Sequence, residues 1–369
     1  MIVSNSPRAR QLSALIIAVA AVLAVTANSV TSKEVGPSIA PGYEPSKQLD
    51  TAEITPEGRK SVERGTHWLL SAMRPDGMVG ADVGQPPDIS CTAMVGLALI
   101  AQGNTTRDGQ HAAELSRIVD AVLNMAEWIP EHHKDPKKVT LVQRKIGLNA
   151  DRFLAALFLS QILGEAGDYD ESVRRTLDKL VRDISKEQGQ DGTWGNDSWA
   201  PVLGTVLGWE SLRAASSCGL RVDASATAAG EALRDGLKKS KYRNEGWMHD
   251  FYKNASSIRV LYSMGFKEDP TFKECVKSTL KFAKQDDRPF TMAGGEEFLA
   301  FYLVTECFLS SPNEQWESWY PTVSNRIISV QNSNGSWSGH HCIIDRTFCT
   351  AAAMLTILTP RSCMPISNL

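Results

Sequence analysis

The chain has 369 residues, 42% of them hydrophobic and 22% charged, with a formal net charge of -3. That length can bury a sizeable core in one large domain or two ordinary ones. A nearly balanced charge with no long basic run removes the electrostatic basis for nucleic-acid binding.

In chain order, Arg8 and Arg10 precede an apolar run over residues 12–25, and Ala27 and Ser29 supply small residues after it. This is the order of a secretory signal, assigned to residues 1–28, and the run falls short of the ~20 apolar residues of a membrane span. Export through a Sec-type signal to the periplasm or the extracellular space is the expectation, with a retained anchor as the alternative. Residues 29–55 hold Pro37, Pro41, Gly42 and Pro45 without an apolar period and read as a flexible tether. A single folded domain is assigned to residues 56–360, which the repeats below read as a toroid, and a tail to residues 361–369.

From about residue 57 a three-part unit recurs: an amphipathic helix, a turn and an apolar helix. EGRKSVERGTHWLLSAM is followed by RPDGMVG and ISCTAMVGLALIAQG. Six such pairs begin near residues 57, 110, 170, 224, 269 and 314, two of them with altered turns. In ESVRRTLDKLVRDI, Val173, Leu177, Leu180, Val181 and Ile184 form one stripe opposite the charges, the pattern of a helix buried on one side. The second helix of each unit is apolar nearly all round, as in PVLGTVLGWESLRAA, and must be shielded on every side. Alternation of the two kinds predicts an all-α fold in which an inner apolar ring sits inside an outer amphipathic ring. No polar capping repeat appears, which favours closure of the ring over an open solenoid.

Seven cysteines (Cys91, Cys218, Cys275, Cys307, Cys342, Cys349 and Cys363) leave at least one unpaired within the chain, and no C-x-x-C pair suggests a zinc ribbon. The open readings for Cys91 are simple packing, a disulfide to Cys342 or Cys349, and a metal site.

Gln188, Gly192 and Trp194 form Q-x-x-x-G-x-W, and Gln331, Gly335 and Trp337 repeat it; Trp68 and Gly77 trace a degenerate copy. This resembles the repeat motif of the squalene-cyclase and protein-prenyltransferase families, over residues 57–358. The resemblance implies an α/α toroid with a central cavity, a terpenoid cyclase-like or prenyltransferase-like enzyme, and an apolar, isoprenoid-like ligand, with peripheral membrane association as a further option. The motif residues themselves read as structural, a tight turn bridged by an amide and an indole.

Chemistry is expected where the inner helices start, since those ends present unpaired N–H groups at the mouth of the ring. The candidates there are Asp88 and Cys91, Asn149 and Asp151, Trp199, His249 to Tyr252, Glu296 and Glu297, and His340 to Arg346. Asp88, Asp151, Glu296 and Glu297 each have a capping or helix-dipole alternative. Cyclases of the squalene-hopene type carry their proton-donating acid within D-x-D-D-T-A. Here the matching string is Asp88-Ile89-Ser90-Cys91-Thr92-Ala93, so Ser90 stands where the acid should be. The resemblance therefore implies a divergent member without that acid. The prenyltransferase resemblance implies zinc, for which Asp88, Cys91, His340, His341 and Cys342 would meet if the first and last inner helices are neighbours. The C-G-E-Q string of complement-like thioester domains is absent.

Two alternatives stand beside the cyclase-like reading. One is a non-catalytic binding or scaffold toroid. The other is a polysaccharide lyase or hydrolase, for which His249, Asp250, Tyr252, Glu296, Glu297, Trp199 and Trp209 would supply a cleft of acids and aromatics. Across all readings the catalytic candidates are Asp88, His249, Asp250, Glu296 and Glu297.

Overall fold

The computed structural model describes residues 54–194, 198–238, 247–285, 287–309 and 314–361. The segments assigned above as signal and tail, and nearly all of the tether, lie outside these residues. The fold belongs to the unit that runs from Gly42 to Leu369. In chain order its helices are α1 (Pro56–Ala72), α2 (Ile89–Ile100), α3 (Ala112–Ala126), the short α4 (Ile129–His133) and α5 (Leu141–Ile146), and α6 (Ala150–Ile162). They continue with α7 (Asp170–Lys186), α8 (Pro201–Ser217), α9 (Asp223–Lys238), α10 (Trp247–Ser263) and α11 (Pro270–Gln285). The one-turn α12 (Arg288–Thr291), α13 (Gly295–Leu309), α14 (Glu314–Ser329) and α15 (Arg346–Leu358) complete the series. Among the described residues the only β pairing is an isolated bridge between Gly80 and Pro87. No described helix is long and apolar enough to cross a membrane.

The architecture is an α/α toroid. Each of α2, α6, α8, α10, α13 and α15 packs on the next, and α15 packs back on α2, so these helices make a closed inner ring. The outer helices α1, α3, α7, α9, α11 and α14 surround it. Sequence pattern explains which helix goes where. On α7 the buried residues are Val173, Leu177, Leu180, Val181 and Ile184, the stripe read from periodicity. On α15 every residue from Thr347 to Leu358 is buried, as a helix with neighbours on all sides requires.

Each outer helix packs mainly on the inner helix of the preceding repeat: α3 on α2, α9 on α8, and α1 on α15. The Q-x-x-x-G-x-W turns make this connection. Gln188 Nε2 donates to Gly192 O within its own turn and to Ser225 O on α9, both at 2.9 Å. Gln331 does the same with Gly335 O at 2.8 Å and Ser61 O on α1 at 2.9 Å. Gly192 and Gly335 take φ of 80° and 92°, and any Cβ there would collide with the backbone of Ala228 or Arg64 on the next outer helix. The indoles close the other side, with Trp194 Nε1 donating to Ile184 O and Trp337 Nε1 to Ile327 O. The motif is thus a clasp between successive repeats, and its last copy clasps the first helix.

The inner helices are not uniformly apolar. Arg259 on α10 donates to both carboxylate oxygens of Glu210 on α8, at 2.6 and 3.1 Å, and lies 3.3 Å from Glu306 on α13. Tyr302 donates to the other Glu306 oxygen at 2.6 Å. All four groups are buried. Burial works against the Glu210 charge, but Arg259 and Arg213 outweigh it and hold the carboxyl below its usual range. The inner ring therefore carries charges that neutralise one another across three helices.

Candidate functional site

Ring closure brings the starts of α15, α2 and α6 together around one cavity of about 570 Å³. Asp345, Asp88 and Asp151 all line it. Asp88 is the N-cap of α2: its Oδ1 accepts from Ser90 N at 2.7 Å and from Cys91 N at 3.4 Å. Its Oδ2 is buried without an aligned hydrogen bond, although the Thr140 side chain lies close enough to stabilise the carboxylate, and Oδ2 of Asp345 is buried without a partner. Carboxyl oxygens of the two acids lie within 4.8 Å of each other and of the Cys91 sulfur. Burial raises the Asp88 pKa, with the Ser90 N–H bond opposing. Burial, then the nearby Asp88, pushes Asp345 up to about 6. Two such groups titrate as a pair that holds one proton in the weakly acidic range.

Asp151 has a different environment. Its Oδ2 accepts from Gln143 Nε2 at 2.8 Å and lies 2.9 Å from His133 Nε2. Arg152 approaches His133 Nδ1 at 3.0 Å, which makes Nδ1 the acceptor and leaves Nε2 as the donor toward Asp151. These partners come from α4, α5 and the segment between them, an insertion before α6 whose capping box joins Thr140 and Gln143. The sequence reading missed this insertion. Its signal was the T-x-x-Q string ahead of a short apolar run.

Behind the start of α15 lies a second group. Glu296, His341 and Cys342 present ligand atoms that all lie within 4.8 Å of one another. Glu296 Oε2 accepts from Ile343 N at 3.3 Å, while its buried Oε1 has no hydrogen-bond partner. Glu297 Oε2 accepts from Gly294 N at 2.8 Å. His341 Nε2 stands 3.2 Å from that oxygen without the alignment of a hydrogen bond, and Glu297 is what raises the His341 pKa. Burial, then Glu297, lifts Glu296 to about 7, and burial, then Glu296, lifts Cys342 to about 12. Cys342 has φ of 48°, left-handed backbone in a residue with a Cβ.

The five residues grouped from sequence as one metal site are thus divided. Asp88 and Cys91 gather with Asp345, and His341 and Cys342 gather with Glu296; His340 belongs to neither cluster among the described residues. The reason is the course of the loop before α15. His340 N and Gly295 N bond to Ala293 O and Ile343 O, tying the first part of the loop to α13. Thr347 N bonds to Ala81 O, and Arg346 Nε to Asp82 Oδ2 at 2.7 Å, tying the second part to the approach to α2. No disulfide joins the described cysteines. Asp250 starts α10, half-buried, and the side chain of His249 lies outside the described residues. Ser90, at the position of the missing cyclase acid, is fully buried with its hydroxyl unpartnered. Trp199 is half exposed and lies beside Lys145, whose Nζ is 5.1 Å from the ring.

Val83, Trp128, Leu148, Trp199, Met292 and Ile344 are exposed, and each lies in a segment leading into an inner helix. Trp128 also lines the 570 Å³ cavity.

No known protein family matches the chain, and no curated protein does. Among solved structures, an α-1,6-mannanase (GH76A) from Salegentibacter sp. aligns with a TM-score of 0.53 at 11% identity, over 82% of this chain and 98% of that one. An inactive variant of that mannanase, with two adjacent aspartates changed to asparagine and α-1,6-mannotriose bound, aligns with a TM-score of 0.54 at 11% identity, over 82% and 99%. A type II terpene cyclase from Scytonema aligns at 0.48 and 13% identity, over 83% and 98%. At such identity the likeness to the mannanase is one of fold alone, that of an all-helical toroid.

Proposed function

We propose that the protein hydrolyses glycosidic bonds with the Asp88–Asp345 pair. The observation that carries this reading is that both acids line one cavity and bring carboxyl oxygens within 4.8 Å of each other. Their environments differ, and this separates their roles. Asp345 keeps its proton up to about pH 6 and serves as the acid. Burial raises Asp88 as well, but the backbone N–H groups at its helix start oppose this and favour its charged form, a support that Asp345 lacks. Asp345 protonates the glycosidic oxygen as the bond to C1 breaks, and Asp88 Oδ2 bonds to C1. The Asp345 carboxylate then takes a proton from water, whose oxygen displaces Asp88 from C1. Carboxyl oxygens within 4.8 Å of each other are too close for inversion, which needs a wider gap to hold water between acid and sugar, and so point to the retaining route.

A scaffold shared with a mannanase supports the reading, and so do the exposed Trp128 and the charged lining of the cavity. An isoprenoid would gain nothing from that lining, and the ion pairs of Glu210, Arg259 and Glu306 occupy the inner ring where an apolar ligand needs hydrocarbon walls. The test is a screen of α- and β-linked oligosaccharides, with reducing ends as the readout. Wild type releases them and Asp345→Asn is slower by about 10²–10⁴. Absence of hydrolysis across the screen would remove the proposal.

A second reading is favoured by one observation, the orphaned Glu296 oxygen beside His341 and Cys342. Carboxylate, imidazole and thiolate suit zinc, and three such ligands leave a position open. Zinc held there would supply a polarised water. Metal analysis tests it: about one zinc per chain, lost in His341→Ala and in Cys342→Ser, would support the site, and metal-free protein would end it.

A further inference from the structure

The cavity that holds Asp88 and Asp345 is bipolar. Its acids come from the starts of three inner helices, while the α4–α5 segment contributes Lys137, Lys138 and Arg144 to the same lining. Opposite charges sharing a small space would ordinarily pair. Here they do not: among the described residues, no ion pair involves any of these three cations. The Lys137 backbone is used in a turn with Asp135, and the Arg144 guanidinium donates to a backbone oxygen, that of Val139. On the acid side, no cation among the described residues pairs with Asp88 or Asp345: Asp88 has only its helix-start N–H groups and the Thr140 side chain, and Oδ2 of Asp345 has no hydrogen-bond partner. Arg144 acts on Asp345 only as a minor influence, outweighed by burial and by Asp88. The unpaired cations and the unpaired acids are thus kept apart within one cavity.

A neutral sugar would use the acid side and leave the three cations with only weak, unbonded influences, of Lys138 on the exposed Glu131 and of Arg144 on Asp345. A sugar with an anionic substituent would use both. We infer that the substrate is an acidic glycan, whose carboxylate, sulfate or phosphate group is held by Lys137, Lys138 and Arg144 while the glycosidic oxygen faces Asp345. This rests on the hydrolase reading and adds the substrate class to it. Arg144 offers the planar fork that recognises two oxygens of one anionic group, and the lysines act as point charges. Because the lysines are exposed, each contributes modestly, and the effect depends on salt.

The experiment measures binding and cleavage of tetragalacturonate, a sulfated tetrasaccharide and neutral α-1,6-mannotriose. Wild type and the double variant Lys137→Gln/Lys138→Gln are compared at low and high salt. Both lysines lie on the surface, so the variant keeps the fold, which circular dichroism verifies. At low salt the wild type should bind one of the acidic probes at least tenfold more tightly than mannotriose. The double variant should lose roughly tenfold for that probe alone, and 0.5 M salt should erase most of the difference. Arg144→Gln, with Arg144→Lys as the conservative control, reports whether the fork selects carboxylate over sulfate. Preference for mannotriose, or equal loss on all probes in the double variant, overturns the inference and leaves the hydrolase reading standing. Failure to bind or cleave any of the probes, together with a blank oligosaccharide screen, overturns both.

Discussion

The side-chain amide of Gln331 donates to the backbone oxygen of Ser61 at 2.9 Å, so the last repeat holds the first helix as the Gln188 repeat holds the helix that follows it. The same Gln331 accepts from the Ser61 hydroxyl at 2.7 Å and from Arg64. This clasp explains how Asp345, near the end of the chain, comes to share a cavity with Asp88. Without closure the proposed site does not exist.

Gln331→Ala should therefore cost about 1–3 kcal/mol, the value of leaving backbone acceptors unmet at a packed joint. Urea denaturation followed by far-UV circular dichroism measures it. Gln188→Ala, at the corresponding internal clasp, should cost about as much. Only the Gln331 variant should also weaken the Asp88–Asp345 site, since only that joint lies at the seam.

The ion network between the inner helices makes a sharper prediction. Arg259→Met leaves Glu210 and Glu306 in the ring without their shared cation, and should destabilise the protein by about 3–5 kcal/mol. Adding Glu210→Gln and Glu306→Gln to that variant should restore most of the loss. Unfolding midpoints of the single and triple variants decide it: similar midpoints would mean that Arg259 is not what neutralises these acids.

Architecture was largely legible in the sequence because it follows from periodicity. The stripe of α7 and the all-round burial of α15 are direct consequences of where apolar residues fall. The Q-x-x-x-G-x-W turns were legible for the same reason, since glycine, amide and indole at fixed spacing leave few geometries. Charges inside the ring were not: Glu210, Arg259 and Glu306 lie on three different helices, and nothing local says that they meet. The α4–α5 insertion was obscured because its helices are too short to show a period, with Pro130 in the first turn of one and Pro136 between them. Asp88 was legible as a helix start, and its partner Asp345 as a neighbour once the ring closes. The division of the acids, histidine and cysteines into two clusters depended on the path of one loop, with Cys342 in a conformation that sequence does not announce.

Glu296 gives a test in pH. In the unfolded chain this carboxyl releases its proton near 4.5, whereas in the native state it does so near 7. Above pH 4.5 the unfolded state gives up the proton first, so native stability should fall as pH rises from about 4.5 to about 7 and level off beyond. The group's share of that fall is on the order of 3 kcal/mol. Denaturation in a chelator at pH 5 and at pH 8 should show a smaller fall for Glu296→Gln. An unchanged pH dependence in the variant would mean that the native carboxyl is not held neutral.

Asp345 gives the corresponding test in rate. The acid must carry its proton and Asp88 must not, so kcat/KM should decline as pH rises past about 6 and again at low pH. Asp345→Asn should remove the high-pH decline while spending little rate on aryl glycosides with good leaving groups, which need no proton. A profile unchanged by the substitution would assign the titration elsewhere.

The closeness of two acids across the seam of the ring is tested most directly by the anomer first released from a cleaved glycan, read by proton NMR before mutarotation. Retention of configuration by the wild type, with product lost in Asp88→Asn, is the expected result. Inversion, or undiminished release by Asp88→Asn, would contradict the account.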